Sequence, residues 1–403
     1  CRKNLVVRLS IGCLLFLCTG MMLSAAPVVG KIVSLDGTVD VYRNGKVVDW
    51  RLVTEKFNIE EYDLIETGED GLVEVEVSLK SGARATVRMS ENTAFYFETS
   101  KLQGKDQTNF QMMKGSLALK VAKLSGSESV GVKTESTAMG VRGTEFEVIT
   151  MPDGAVLVLC SEGRVACTDN RDQEVLAEAG RVVSKNPNES LKGYAVEPED
   201  LPTYREFWTS TRLEIFKSGA DVFVKAYAKQ YEEYLKRFTA NYGEMLKQRA
   251  ILEKYTAPDS GAPLGTLIQV KTQVSPAMFA MRSVYPLFEQ TFYRLTDLER
   301  FHRQGYGRVM IRDRYSSDAF FSNFSARETA VKEQLAMTRY MFKLFAALSE
   351  MTGGGLGAEM FMSNPLAPEG SIPGTGGGGF PSGNIPSGQI PSGGIPSGGS
   401  TFK

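Results

Sequence analysis

Val73-Glu74-Val75-Glu76-Val77 alternates apolar and charged side chains without a break. Successive side chains of a strand point to opposite faces, so this run buries one face and wets the other. A helix is excluded there, because a 3.6-residue period would scatter the valines around the axis. Val39-Asp40-Val41-Tyr42, Ala85-Thr86-Val87-Arg88-Met89, Ser116-Leu117-Ala118-Leu119-Lys120-Val121 and Phe146-Glu147-Val148-Ile149 read the same way. Turn signals separate them at Asp36-Gly37, Asn44-Gly45, Asp70-Gly71, Ser81-Gly82, Lys114-Gly115, Asp153-Gly154 and Glu162-Gly163. Residues 27–185 are therefore predicted to form an all-β domain: a sandwich, a barrel or a short β-solenoid. No long helical period interrupts the stretch, which excludes a βαβ nucleotide fold.

Asn186, Pro187, Asn188, Pro198 and Asp200 mark a polar linker over 186–202. Beyond it the period changes. Phe216, Phe223, Tyr227, Tyr231, Tyr234, Phe238 and Tyr242 recur at spacings of three, four or seven, placing an aromatic stripe along one long helix. That stripe reads first as core and second as a seam for another protein. The sequence from Thr256 to Pro263 breaks the helix. A second helical stretch is predicted from about Ser275 to Phe301, kinked or split at Pro286, and a third from about Ser325 to Met351, stopped by Gly353-Gly354-Gly355. The chain is thus expected to be α+β and multidomain, with an α-helical hairpin or bundle over 203–351. A disordered Gly/Pro/Ser-rich tail is expected over 352–403. There Phe380-Pro381-Ser382-Gly383 is followed by three Ile-Pro-Ser-Gly repeats, starting at Ile385, Ile390 and Ile395. It reads as a flexible spacer or as a repeated docking motif.

Residues 1–26 carry a different signal. Arg2, Lys3 and Arg8 flank an apolar run from Leu9 to Ala26, and Ser24-Ala25-Ala26 offers a small-x-small cleavage site. A signal peptide is expected; a retained anchor is the alternative, and only then is the membrane a partner. Of five cysteines, only Cys160 and Cys167 lie outside this segment. A hairpin turning at Glu162-Gly163 would set them diagonally on one face, near the limit of disulfide reach; two core thiols are the other reading.

Residues 27–200 hold 20 Lys and Arg against 29 Asp and Glu, whereas 201–351 hold 22 against 16. Such opposite surpluses point to contact between the halves, to differing solvated faces, or to an anionic partner for the basic half. No nucleic-acid motif is present, so no nucleic-acid partner is expected. Nor is there a P-loop, a GxSxG, an HExxH or a GxGxxG after a strand. The sole histidine, His302, sits between Phe301 and Arg303 and reads as surface polar or as a helix-end cation. Neither catalysis nor a cofactor nor a metal is expected.

Two blocks of the β region carry a recognisable pattern. One is Asp63-Leu64-Ile65-Glu66-Thr67-Gly68 with the strand at 72–77 and Ser81 to Val87. The other runs from Val132 to Val148 and on to Glu162-Gly163-Arg164-Val165. With Gly30-Lys31-Ile32-Val33 and Asp36-Gly37-Thr38-Val39, these resemble a FecR domain over about 28–184. Val141, Arg142, Gly143, Thr144, Phe146, Glu162 and Gly163 are its most specific residues. Gly140 and Gly143 allow turns that a Cβ would strain. Arg142 between them either pairs inside the β fold or recognises an anionic group. The resemblance implies a periplasmic place in signal relay. The best-known FecR proteins sense an outer-membrane iron-siderophore transporter and regulate an extracytoplasmic-function sigma factor. They carry a cytoplasmic sigma-binding region before a membrane span, whereas only a few residues here precede the apolar segment. The leading expectation is therefore a non-catalytic exported envelope module for binding or scaffolding. An envelope protein or glycan is its partner, with self-association through the helical region as a further option. A periplasmic FecR-type sensor or regulator, coupled to a transporter or sigma-factor system, is the alternative.

Overall fold

The computed structural model describes residues 28–353, apart from 80, 103–104, 123–127 and 142. The expected signal peptide, the repeat tail and Arg142 thus lie outside the described residues.

The first half is all strand, as its alternation requires. It opens with β1 (Val28–Asp36), β2 (Val39–Arg43), β3 (Lys46–Val47), β4 (Asn58–Glu60), β5 (Leu64–Thr67), β6 (Leu72–Ser78), β7 (Arg84–Met89), β8 (Ala94–Leu102) and β9 (Lys105–Val121). Next come β10 (Ser129–Lys133), β11 (Thr137–Val141), β12 (Glu145–Thr150), β13 (Val156–Glu162), β14 (Arg164–Asp169), β15 (Glu174–Glu178), β16 (Arg181–Lys185) and β17 (Lys192–Ala195). The ladders sort these into two layers. One runs β4-β1-β6-β7-β9-β12-β13-β16-β17. The other runs β3-β2-β5-β8-β9-β10-β11-β14-β15.

Strand β9 belongs to both layers. Its first half pairs with β8 and β10, its second with β7 and β12. The switch falls at Gly115, whose φ is +93° and where a Cβ would lie 2.2 Å from Thr93 Oγ1. Only glycine fits. A short contact between β15 and β16 joins the layers again, so β9 to β16 close on themselves. Between the layers lies one apolar core that includes Val75, Val87, Phe95, Phe97, Phe110, Leu119 and Val148. Val73, Val75 and Val77 are buried, and Glu74 and Glu76 face outward toward Arg88 and Arg84.

Two local expectations are corrected. Glu162-Gly163 does not close a hairpin: β13 pairs with β12 and β16, and β14 with β11 and β15. The chain turns a corner there and changes layer. Cys160 and Cys167 are buried free thiols, pushed up to about 11 and about 12 by burial. The stretch 186–202 is not a loose linker either. β17 pairs with β16, and Val196 N donates to Gly180 O at 3.1 Å.

The second half contains α1 (Leu201–Ser218), α2 (Ala220–Leu246), α3 (Arg249–Thr256), α4 (Leu264–Arg282), α5 (Tyr285–Arg303), α6 (Ser317–Ser325) and α7 (Glu328–Met351). Pro286 lies in the first turn of α5, so it separates two helices where its missing N–H costs nothing. Helix α4 starts eleven residues before the predicted Ser275. Its only charged residues are Lys271 and Arg282, so it has no charged face to reveal a period. The aromatic stripe is core: Phe223, Tyr227, Tyr231, Tyr234 and Phe238 are buried on α2, and Phe238 stacks on Phe288 at 4.4 Å. Phe216 lies on α1 instead, beyond the break at Gly219.

The helices do not form an independent body. Tyr204 and Trp208 of α1 pack with Ile149, Leu157 and Val182 on the outer face of the first layer. The remaining bundle shares a core with Tyr42, Leu64, Tyr96 and Met113 on the outer face of the second.

Candidate functional site

The residues singled out by the sequence meet at the corner between β11, β12, β13 and β14. Val141 and Phe146 are buried in the inter-layer core. Gly143 and Gly163 both have positive φ, +65° and +83°. A Cβ on Gly163 would sit 2.6 Å from Thr144 Cγ2 and 2.9 Å from Gly143 O. The two parts of the motif are therefore one packed corner, and its glycines are there for close approach. Thr144 is buried and its carbonyl accepts from Val121 N at 2.8 Å, tying the corner to β9. Among the described motif residues, Glu162 and Gly163 are exposed to solvent.

A second constellation was invisible as such in the sequence. Ion pairs join the β body to the helices at Glu66–Lys332, Glu135–Arg294, Glu147–Arg205, Asp153–Arg212, Glu60–Lys343 and Glu69–Arg303. In each, the acid comes from the β body and the base from a helix. The opposite charge surpluses of the two halves are thus spent partly on each other. Glu66 is the most enclosed carboxylate of this set on the second layer, 3.3 Å from Lys114 and 2.8 Å from Lys332. Burial alone would push its carboxyl up, but the two ammonium groups hold it below the usual range. Arg294 also donates to Met151 O, and Arg205 grips Glu147 through bonds of 2.9–3.0 Å.

Deeper still, Arg339 of α7 pairs with Glu289 of α5, and its guanidinium lies 5.2 Å from the ring centre of Tyr96 on β8. Tyr285 Oη donates to the same carboxylate. Beside them Glu98 is almost wholly buried and accepts from Gln111 Nε2 at 3.1 Å. Burial pushes it up to about 7, against the pull of Lys133 and Arg282. At the end of this seam a cavity of about 380 Å³ opens between the β body and α7, lined by Val29, Tyr62, Phe97, Thr99, Lys343 and Ala346 among others.

The described residues hold no group of His, Cys, Asp and Glu that could bind a metal ion. His302 is not the surface cation expected. It is buried at the end of α5, where burial lowers its pKa, and its Nε2 lies 3.0 Å from Ser317 Oγ and 3.5 Å from Asp318. Hydroxyl and carboxylate crowd the same ring nitrogen, which is not the relay geometry of a nucleophilic serine. The arrangement can couple two bodies mechanically and electrostatically. No helix among the described residues is long and apolar enough to cross a membrane.

Two crystal structures of an anti-sigma-factor candidate from Parabacteroides distasonis are similar to this chain at 15% identity, with TM-scores of 0.29 and 0.28. Each match covers 35% of this chain, which spans 63% of the length of those proteins. No curated protein matches. Residues 63–166 match the family described as FecR protein, a span that takes in Val141 to Phe146 and Glu162-Gly163. The chain therefore carries a FecR domain.

Proposed function

We propose that this chain is a FecR-type regulatory protein of the cell envelope, working by binding and not by catalysis. The match over residues 63–166 carries the reading and favours it over the scaffold role expected first. The seam supports it physically. A relay needs an element whose state both partners can bias. Here a recognition event on the β body reaches the helices through six ion pairs and a shared apolar core. Export to the periplasm, through the basic and apolar segment at 1–26, belongs to this proposal, as does a membrane-embedded partner. Transcript profiling of the native host with and without the chain tests it. The reading expects a defined set of envelope genes to change and to be restored by the intact chain. An unchanged transcript profile, with in-cell cross-linking that recovers no membrane protein, would sink it.

A further inference from the structure

The row of α7 side chains that faces the β body changes character near its end. Lys332, Arg339, Lys343, Ala346 and Glu350 follow one another at intervals of seven, four, three and four residues, so they share one face. The first three meet the β body with charge: Lys332 at Glu66, Arg339 over Tyr96 and Lys343 at Glu60. Ala346 then brings a single methyl group, and Glu350 brings an acid. Both line the cavity of about 380 Å³. Its floor is the end of the inter-layer core, with Val77 and Leu79 at the end of β6 and Phe97 on β8. Apolar space of this size, at the junction of two bodies and fringed by a few polar groups, is what a small-molecule site offers. Thr108 of β9 is buried in the cavity wall, and its hydroxyl has no hydrogen-bond partner among the described residues.

The charge at the mouth is one-sided. Glu61 stands on the β side, its Oε1 accepting from Thr99 N at 2.6 Å and from Thr99 Oγ1 at 2.7 Å. Glu350 stands on the α7 side, exposed and in no ion pair with a described residue. Burial, and after it the carboxylates of Glu98, Glu61 and Glu350, push the Tyr62 phenol well above its ordinary pKa against the pull of Arg282, so both acids act on one wall of the cavity. Lys343, the one cation among the described lining residues, is already turned toward Glu60 Oε2 at 3.7 Å and the Glu61 carbonyl at 3.4 Å. The six ion pairs of the seam set a β-body acid against a helix base; here acid faces acid. We propose that the cavity binds a small amphiphile with an ammonium head. Its apolar body lies on Val77, Leu79 and Phe97 beside Ala346, and its ammonium group donates toward Glu350 and Thr108 Oγ1. An ammonium is all donor, which suits a carboxylate and a free hydroxyl. An anionic head would meet like charge at the same mouth. Such a ligand touches the β body and α7 together, so its binding stabilises their contact.

Isothermal titration of the full chain with octylammonium, octanol and octanoate at neutral pH tests this. One saturable octylammonium site per chain is expected, tighter than octanoate by about tenfold or more. Ala346→Phe fills the space and should weaken octylammonium by about tenfold or more, with the far-ultraviolet circular dichroism unchanged. Glu350→Lys lies at the exposed end of α7, where the fold does not depend on it. It supplies the cation from the chain itself and should reverse the order, octanoate becoming the tighter ligand. Octanol or octanoate binding the native chain as tightly as octylammonium, an affinity indifferent to both substitutions, or no saturable binding would each overturn the proposal.

Discussion

The inner face of the β2-β5-β8-β9 layer carries Val41, Ile65, Phe95, Phe97 and Phe110, while its outer face carries Asp40, Tyr42, Glu66, Tyr96 and Glu98. Both faces are covered, one by the other β layer and one by helices. The inner face is specified by apolar area and shape alone. The outer face is specified by charge placed opposite charge: acids on the strands, answered by bases on the helices and by Lys114 and Lys133 on β9 and β10. Apolar burial drives folding wherever it occurs, whereas a buried carboxylate is tolerated only under the right partner. The difference teaches how one half selects the other. The apolar face would accept many covers of suitable shape, and the charged face accepts one.

The charged cover of that outer face can be broken first at Arg339, whose pair with Glu289 joins α7 to α5 over Tyr96. Arg339→Met leaves Glu289 buried without its cation and should cost about 3–5 kcal/mol in urea unfolding. Adding Glu289→Leu should recover most of the loss, since an apolar pair of similar volume needs no compensation. A single variant that costs under about 1 kcal/mol would mean that the α5–α7 pair over Tyr96 is wet. On the inner face, Phe95→Ala should cost slightly less, about 3–4 kcal/mol, with no dependence on salt or pH.

Glu98 sharpens the comparison through pH. Its folded pKa of about 7 lies above the ordinary 4.5. The folded state therefore binds the proton more tightly than the unfolded state. The resulting stabilisation is full below about pH 4.5 and is lost as pH rises through 7. Glu98→Gln should then gain on the native chain as pH rises from 5 to 8, by on the order of 2–3 kcal/mol. A constant difference across that range would place Glu98 in solvent-like surroundings. Gly163→Ala should have the smallest effect, about 1–2 kcal/mol, from the positive φ and the approach to Thr144. A loss of that size confined to stability, with partner binding intact, would fix the corner as architecture.

The inner face was legible in the sequence because alternation has one physical cause. Val73, Val75 and Val77 could be buried only by a strand. The corner was half legible: Gly143 and Gly163 announced a tight place, but two strands around a turn look alike whether they pair or cross layers. The seam was not legible. Asp40, Glu66 and Glu98 alternate with apolar neighbours, as solvated acids do, and nothing local says that helices some 180–290 residues later cover them. Only the opposite charge surpluses of the two halves hinted at it. Helix α4 hid for the converse reason, having no charged face to give it a period.

The central claim is that β body and helices fold as one unit held by that seam. Trp208 of α1 is buried against the first layer and donates to Ser184 Oγ at 3.1 Å, whereas Trp50, the other tryptophan, is exposed. In a Trp50→Phe chain, Trp208 emission reports contact between the halves while circular dichroism at about 222 nm reports the helices. Urea titration of that chain should show both signals moving in a single shared transition. An emission change complete at lower urea, with the helical signal still intact, would contradict the account.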